Sequence, residues 1–181
     1  MKGMEKRIKR IRMLLLDVDG VMTDGGVILG PGKMELKKFD TQDGMGITLA
    51  RAAGLSVGIL TGRVSEAVRK RAKELKIDEV QQGFFHKEEG YLAILGKHGL
   101  KDEEIAYIGD DVLDIPILRR VGLAIGVANG APEVKKISHY VTRKKGGEGA
   151  IREVIDLMLK VLGKREAVLA SVLRDRKEEK R

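Results

Sequence analysis

The chain has 181 residues, enough for one domain with a sizeable core, and 43% of them are hydrophobic. Cysteine is absent, which excludes disulfides, thiolate zinc sites and thiol nucleophiles and suits a reducing compartment, so we expect a cytoplasmic protein. The net charge of +8 lies in the two ends, with +5 in residues 1–12 and +3 in residues 164–181, and aromatic residues make up only 3%. We therefore expect solvated basic ends and no nucleic-acid partner.

Short apolar runs recur along the chain and predict strands. They cover residues 13–16, 56–60, 79–81, 105–108, 123–127 and 140–141. Most of them lack alternation between apolar and polar residues, as expected for strands buried on both faces, and none is long enough to cross a membrane. Helical patterns lie between them, so the sequence predicts an α/β fold, a Rossmann-like parallel sheet with helices on both faces.

One segment interrupts this alternation after the first strand. Residues 26–39 hold two short extended pieces around Gly30-Pro31-Gly32, which predicts a β-hairpin insertion. No insertion is long enough for a cap domain. We therefore divide the chain into a basic N-terminal segment (1–12), a core α/β domain (13–162) and a charged helical tail (163–181). The tail is either a solvated helix or, through a stripe at Val168, Leu169, Val172 and Leu173, an added oligomer contact.

Polar residues follow the predicted strands. Because ligands of open parallel sheets bind beyond the carboxyl ends of the strands, these residues form a candidate site. In chain order they are Asp17, Asp19, Thr61, Arg63, Lys87, Asp110, Asp111 and Asp114. Any one of these residues could simply belong to a turn or a helix cap, but polar residues at the ends of four strands together favour a functional site.

Carboxylates, a hydroxyl and a lysine at one edge indicate phosphoryl chemistry. Asp17 and Asp110 can hold Mg²⁺, which prefers oxygen ligands and shares itself with phosphate. An aspartate can attack phosphorus and form an aspartyl-phosphate, and a second acid can exchange the protons that the reaction needs. Asp19 suits that second role, because positions i and i+2 of an extended run point the same way.

Four ordered motifs carry a family resemblance. DVDGV at 17–21, TGR at 61–63, Lys87 and GDDVLDIP at 109–116 resemble the motifs of haloacid dehalogenase-like phosphohydrolases. The stretches FDTQDGMGI and TRKKGGEGAIREV extend the resemblance to the 3-deoxy-D-manno-octulosonate 8-phosphate phosphatases, over roughly residues 13–160. These are capless tetramers that act in lipopolysaccharide biosynthesis.

The resemblance implies a role for each motif residue. Asp17 is implied to be the nucleophile and a Mg²⁺ ligand, Asp19 the acid/base with its carbonyl on the metal, and Asp110 the third protein ligand. Thr61 and Lys87 are implied to bind the phosphoryl group. Candidates for gripping an anionic sugar are Arg63 and Arg71, and the supporting residues are Asp111 and Asp114, with Asp114 either bracing the site or capping the next helix.

The resemblance also implies a site completed by another subunit. The segment 143–150, with Lys145, Gly146 and Gly147 as substrate-binding candidates, is then a lid from a neighbour in a homotetramer. Without the resemblance, the sequence of this segment favours a flexible loop before the last helix.

Other functions stay open. A phosphoacceptor receiver domain would need an acceptor aspartate at the end of a middle strand, and the second strand ends in Leu60-Thr61-Gly62. A catalytically silent regulatory domain is a further alternative, since fold does not fix function. Among enzymes, the rivals to a 3-deoxy-D-manno-octulosonate 8-phosphate phosphatase are a sialic-acid 9-phosphate phosphatase and a broad phosphatase of small phosphates.

Overall fold

The computed structural model describes residues 2–32 and 34–178. The strands are β1 (Met13–Leu16), β2 (Ile28–Leu29), β3 (Glu35–Leu36), β4 (Ser56–Thr61), β5 (Glu79–Gln82), β6 (Ile105–Gly109), β7 (Leu123–Gly126) and β8 (Tyr140–Val141). The α-helices are α1 (Lys2–Ile8), α2 (Thr41–Ala52), α3 (Glu66–Glu74), α4 (Lys87–His98), α5 (Ile115–Leu118), α6 (Pro132–Ile137), α7 (Ala150–Val161) and α8 (Arg165–Glu178). Short 3-10 helices cover Asp102–Glu104 and Val112–Asp114.

All the strands except β2 and β3 form one six-stranded parallel sheet, in the order β5-β4-β1-β6-β7-β8. β1 lies between β4 and β6, so the chain leaves β1 toward one side of the sheet and later returns on the other. All six predicted strands are confirmed, and so is the α/β fold class.

Alternate residues of β1 supply two separate cores. Leu14 and Leu16 pack with residues of α2 and α7, whereas Met13 and Leu15 pack on the other face with α4 and α5. All four side chains are fully buried. Burial on both faces explains why the strand is continuously apolar.

The predicted hairpin is confirmed as the antiparallel pair β2 and β3, which forms a separate two-stranded sheet. Its ladder joins only Ile28 to Leu36 and Leu29 to Glu35. Several apolar side chains on this hairpin are exposed, Leu29 by 74%. A two-pair ladder has little stability of its own, so the hairpin depends on contacts beyond its backbone.

The basic ends are more than solvated tails, so that prediction is wrong for part of each. In the N-terminal segment, Ile8 of α1 is fully buried, and the Arg7 guanidinium donates to the Gly122 carbonyl at 2.7 Å. In the C-terminal segment, Val168 of α8 is buried and Val172 packs against the same core. Both ends therefore add apolar contacts to the domain. The last predicted tail positions, 179–181, lie outside the described residues.

The helical segment after β6 is short. It begins as the 3-10 turn Val112–Asp114, which Asp111 and Asp114 cap, and continues as the single α-turn α5. Ser65 occupies the N-cap position of α3, but its side chain makes no capping hydrogen bond. Within residues 2–32 and 34–178, no helix combines the length and apolar character that crossing a membrane requires.

Candidate active site

The carboxyl ends of three adjacent strands bring the central site residues together. Asp17 follows β1, Thr61 ends β4 and Asp110 follows β6, and these strands are neighbours in the sheet. Lys87, at the start of α4, reaches the same place. A cavity of about 340 Å³ opens there, lined by Asp17, Asp19, Gly25, Thr61, Gly62, Arg63, Phe85, Lys87, Asp110, Asp111, Leu113 and Asp114.

The loop after β1 turns sharply so that its acids face this cavity. The amides of Val21, Met22 and Thr23 all donate to the Val18 carbonyl, and the buried Thr23 hydroxyl accepts from the amide of Gly25 at 3.2 Å. Gly20 has φ +86°, and a Cβ there would overlap the Asp110 carboxylate. A side chain at this position would therefore displace one of the candidate metal ligands.

Lys87 connects two acids at the bottom of the cavity. Its ammonium lies 2.8 Å from Asp17 Oδ1 and 2.6 Å from Asp114 Oδ1, and its side chain is only 5% exposed. The Tyr107 hydroxyl also donates to Asp114 Oδ1, at 2.6 Å. The other oxygen of Asp114 accepts from the amides of Asp110 and Asp111. Asp114 thus contacts Lys87 and closes the 3-10 turn Val112–Asp114, whereas as the N-cap residue of α5 its side chain makes no capping hydrogen bond.

The electrostatics of the cavity favour a bound cation. Burial raises the pKa of Asp17 to about 6, although Lys87 lowers it. Burial, together with the charges of Asp17 and Asp114, raises the pKa of Asp110 to about 8. For Lys87, burial alone would lower the pKa, but the two acids outweigh it and the pKa is raised.

The donor set fits a hard divalent cation. Oxygens of Asp17, Asp110 and Asp114 lie within 4.8 Å of one another. Asp114 is saturated by its four donors, but no hydrogen-bond donor reaches the Asp110 side chain among the described residues. Two facing carboxylates without a donor between them repel each other, and a cation held by Asp17 and Asp110 removes that repulsion.

The Asp19 carboxylate contacts one basic side chain from the hairpin and one from the loop after β4. Oδ1 forms an ion pair with the ammonium of Lys37, the residue directly after β3. Oδ2 lies 3.6 Å from Arg63 Nε. Glu35 Oε1 accepts a hydrogen bond from the Arg63 guanidinium at 3.1 Å and forms an ion pair with the Lys37 ammonium at 3.2 Å. Two acids and two bases thus join the hairpin to the site.

Some predicted substrate-binding residues lie away from the cavity. Arg71 contacts the Asp40 carbonyl at 3.4 Å and Glu74 at 2.9 Å, so its guanidinium braces α3 against the start of α2. Lys145 is exposed and does not line the cavity.

The glycine pair of segment 143–150 is buried in its own subunit, where it packs on the loop after β1. The Gly147 amide donates to the Val21 carbonyl at 3.0 Å, and the Gly146 amide donates to Asn129 Oδ1 at 2.7 Å. A Cβ on Gly146 would overlap the Gly20 backbone. Close packing on the loop after β1 is therefore what requires glycine here.

Three residues near the site were not predicted from the sequence. Tyr107 could have been predicted from the sequence, since a tyrosine hydroxyl in a strand buried on both faces needs a buried hydrogen-bond partner. Glu35 and Lys37 had none, because their pairing with Arg63 and Asp19 depends on how the hairpin folds back.

Comparison with known proteins agrees with this geometry. Residues 78–155 match the family model of haloacid dehalogenase-like hydrolases. The chain is 43% identical over 154 residues to the 3-deoxy-D-manno-octulosonate 8-phosphate phosphatase of Yersinia pestis, covering 85% of this chain and 82% of the relative. The chain belongs to the 3-deoxy-D-manno-octulosonate 8-phosphate phosphatase family of haloacid dehalogenase-like hydrolases.

Solved structures of this phosphatase family share the fold along nearly the whole chain. The Moraxella catarrhalis enzyme, in complex with magnesium, phosphate and a KDO molecule, superposes with a TM-score of 0.91 at 37% identity, covering 95% of this chain and 99% of that one. The cobalt-bound form from Haemophilus influenzae gives a TM-score of 0.84 at 34% identity, covering 87% and 92%. Both carry divalent metals.

Proposed function

We propose that this protein is a Mg²⁺-dependent phosphomonoesterase that hydrolyses 3-deoxy-D-manno-octulosonate 8-phosphate through an aspartyl-phosphate on Asp17. The observation that carries the proposal is the buried Asp17 with the half-buried Asp110 and Lys87, at the end of three adjacent strands. The membership of the chain in a phosphatase family gives the reaction class, and its relatives' substrate gives the sugar.

In the first half-reaction, a carboxylate oxygen of Asp17 attacks phosphorus and the bond from phosphorus to the sugar oxygen breaks. Asp19 gives its carboxylic proton to that oxygen, so the sugar leaves as an alcohol. Lys87 keeps Asp17 oriented through its 2.8 Å contact and neutralises charge on the phosphoryl oxygens, to which the Thr61 hydroxyl donates a hydrogen bond.

In the second half-reaction, water attacks the phosphorus of the aspartyl-phosphate. The Asp19 carboxylate takes a proton from that water, the bond from the Asp17 oxygen to phosphorus breaks, and inorganic phosphate leaves. Asp17 and Asp19 return to their starting protonation states, so the cycle consumes one water for each phosphate.

Asp17, Asp110 and the Asp19 carbonyl are the groups we assign to Mg²⁺. When bound, the ion stabilises negative charge on the transferring phosphoryl group. Arg63 is the cavity cation available for the carboxylate of the sugar acid, since its side chain is 51% exposed.

A phosphate-release screen with Mg²⁺ tests this function. The panel contains 3-deoxy-D-manno-octulosonate 8-phosphate, sialic-acid 9-phosphates and small aryl phosphates, assayed with wild type and Asp17→Asn. We expect the octulosonate to give the highest kcat/KM, and Asp17→Asn and metal chelation each to abolish turnover. Turnover that survives Asp17→Asn contradicts the mechanism, and a preference for a sialic-acid phosphate contradicts the substrate. A protein inactive on the whole panel would favour a regulatory domain instead.

We also propose a homotetramer in which a neighbouring subunit helps to cover the cavity. An exposed apolar patch supports this assembly, and each of its side chains is at least 48% exposed. The patch consists of Val27, Ile28, Leu29 and Leu36 on the hairpin and Phe85 on the cavity rim. Burial of such a patch between subunits is the usual reason for its presence.

We propose the cytoplasm as the compartment, on the ground that the chain has no cysteine. Cell fractionation with an antibody against the native protein would check this.

A further inference from the structure

The Asp19 carboxylate has one hydrogen-bond donor among the described residues, and that donor is Lys37 on Oδ1. The other oxygen, Oδ2, has only the longer 3.6 Å approach of Arg63 Nε. Asp19 lines the cavity with its side chain 24% exposed. Oδ1 is therefore anchored while Oδ2 stays available to a substrate or water.

Lys37 is unusual for a lysine because its side chain is only 1% exposed. A buried ammonium is costly unless it is paired, and here Asp19 and Glu35 both pair with it. Glu35 in turn contacts Arg63 at 3.1 Å, so the ammonium is fixed from two sides. The neighbouring Lys38 differs, since its side chain is 68% exposed and its nearest acid, Asp24, lies at 3.9 Å.

We propose that Lys37 is a positioning residue for the proton transfers of Asp19, with Glu35 holding Lys37 in place. This inference rests on the proposed function. Lys37 does not touch the substrate; it keeps one carboxylate oxygen fixed so that the other delivers a proton to the leaving oxygen and later accepts one from water. A merely structural Lys37 would hold the hairpin without affecting those two steps selectively.

The test compares two leaving groups in single and multiple turnovers. 4-Nitrophenolate leaves without being protonated, whereas a sugar alkoxide needs a proton, and both reactions need Asp19 to activate water in the second half. For Lys37→Met with 4-nitrophenyl phosphate, we expect a fast first turnover, seen as a burst of one nitrophenolate per site, followed by a steady state slowed by about tenfold or more. For the best sugar phosphate of the screen, we expect the first turnover itself to slow by about tenfold or more, with no burst.

Matched variants separate this effect from misfolding. Lys38→Met removes the adjacent exposed charge and should leave both substrates within about twofold of wild type, since exposed ion pairs contribute little. Lys37→Arg keeps a buried cation and should recover part of the steady-state rate, and thermal melts identify any variant that does not fold. Asp19→Asn should reproduce the burst and the slow steady state.

Two outcomes overturn the proposal: equal slowing of the first turnover with both substrates, which indicates a structural role, and wild-type kinetics in Lys37→Met. Failure of the proposed function looks different, because either wild type would then be inactive on the whole panel or Asp17→Asn would keep turning over. An Asp17→Asn variant that is inactive beside a Lys37→Met variant that is unchanged would refute the positioning role alone.

Discussion

Asp114 has the most crowded environment of the residues at the site. Its two oxygens accept from the Lys87 ammonium, the Tyr107 hydroxyl and two backbone amides, and its side chain is 1% exposed. Those contacts fix Lys87 against Asp17 and hold the loop that carries Asp110. Asp114 thus acts on the chemistry through its neighbours.

Replacing Asp114 by alanine should damage stability and turnover together. The change leaves the buried Lys87 charge with Asp17 as its one acidic partner and two part-buried amides without their acceptor, which should cost about 3–5 kcal/mol of unfolding free energy. Tyr107→Phe removes a single hydroxyl and should cost about 1 kcal/mol. Urea unfolding of both variants measures the difference, and similar small costs would show that the Asp114 network is not required.

Asp110 and Asp19 should fail differently when replaced. Asp110→Ala removes a carboxylate from the candidate metal site, so we expect a raised Mg²⁺ requirement at a recoverable kcat. Asp19→Asn keeps its backbone carbonyl and should lower kcat by about 10²–10⁴-fold with little change in the Mg²⁺ requirement. Titration of activity with Mg²⁺ distinguishes the two, and equal small effects from both would contradict the assigned roles.

Glu79 offers a pH prediction away from the site. Burial alone would raise its pKa, but hydrogen bonds from Lys97, His98 and Gln81 outweigh burial and hold the pKa below its usual 4.5. A carboxylate with a lowered pKa stabilises the fold above its unfolded pKa, and that stability is lost as pH falls through the folded pKa. Glu79→Gln should therefore cost about 1–3 kcal/mol at neutral pH and progressively less below pH 4.5. Urea unfolding at several pH values checks this, and a cost independent of pH would exclude the ionised carboxylate as its source.

At the scale of elements, the segment before α7 and the loop after β1 pack against each other beside the site. The segment before α7 lies on the loop after β1, with Gly147 bonded to the Val21 carbonyl and Gly146 packed on the Gly20 backbone. Glu153, near the start of α7, accepts from the amides of Arg143 and Lys144 and so holds the segment from behind. The conformation of the loop after β1 therefore depends on residues more than a hundred positions away.

Gly146→Ala should disturb this fit, whereas an exposed helical glycine provides the opposite control. The added Cβ at position 146 would overlap backbone atoms of the loop after β1, so we expect a loss of about 1–3 kcal/mol and a lower kcat. Gly96 lies in α4 with nothing within 4 Å of a built Cβ, and Gly96→Ala should stabilise by about 0.5–1 kcal/mol. Melting curves and aryl-phosphate turnover test both, and an unchanged Gly146→Ala would show that the loops can separate without cost.

At the scale of the whole molecule, the exposed apolar hairpin lies outside the two cores of the domain. It carries both the proposed subunit contact and, through Glu35 and Lys37, the contact with Asp19. Assembly and catalysis would then share one element, since a hairpin held by neighbours also holds Lys37 in place.

A charge on the hairpin should break the proposed tetramer. Leu29 is 74% exposed, and Leu29→Lys should dissociate the assembly and lower kcat/KM on the sugar phosphate more than on a small aryl phosphate. Leu92→Lys on α4, where the side chain is 50% exposed, is the matched control and should leave the assembly intact. Sedimentation velocity gives the state of each variant, and a fully active wild-type monomer would refute the shared assembly.

The sequence alone determined the sheet and most of the central site. Strands buried on both faces must be continuously apolar, and ligands of parallel sheets lie at strand ends, so Asp17, Thr61, Lys87 and Asp110 could be placed before any coordinates. Only the tertiary structure decided the partners of those residues. The pairing of Asp19 with Lys37, the bracing role of Arg71 and the burial of Gly146 depend on how distant segments meet. Such contacts depend on how the chain packs in three dimensions, so a local pattern of residue types does not predict them.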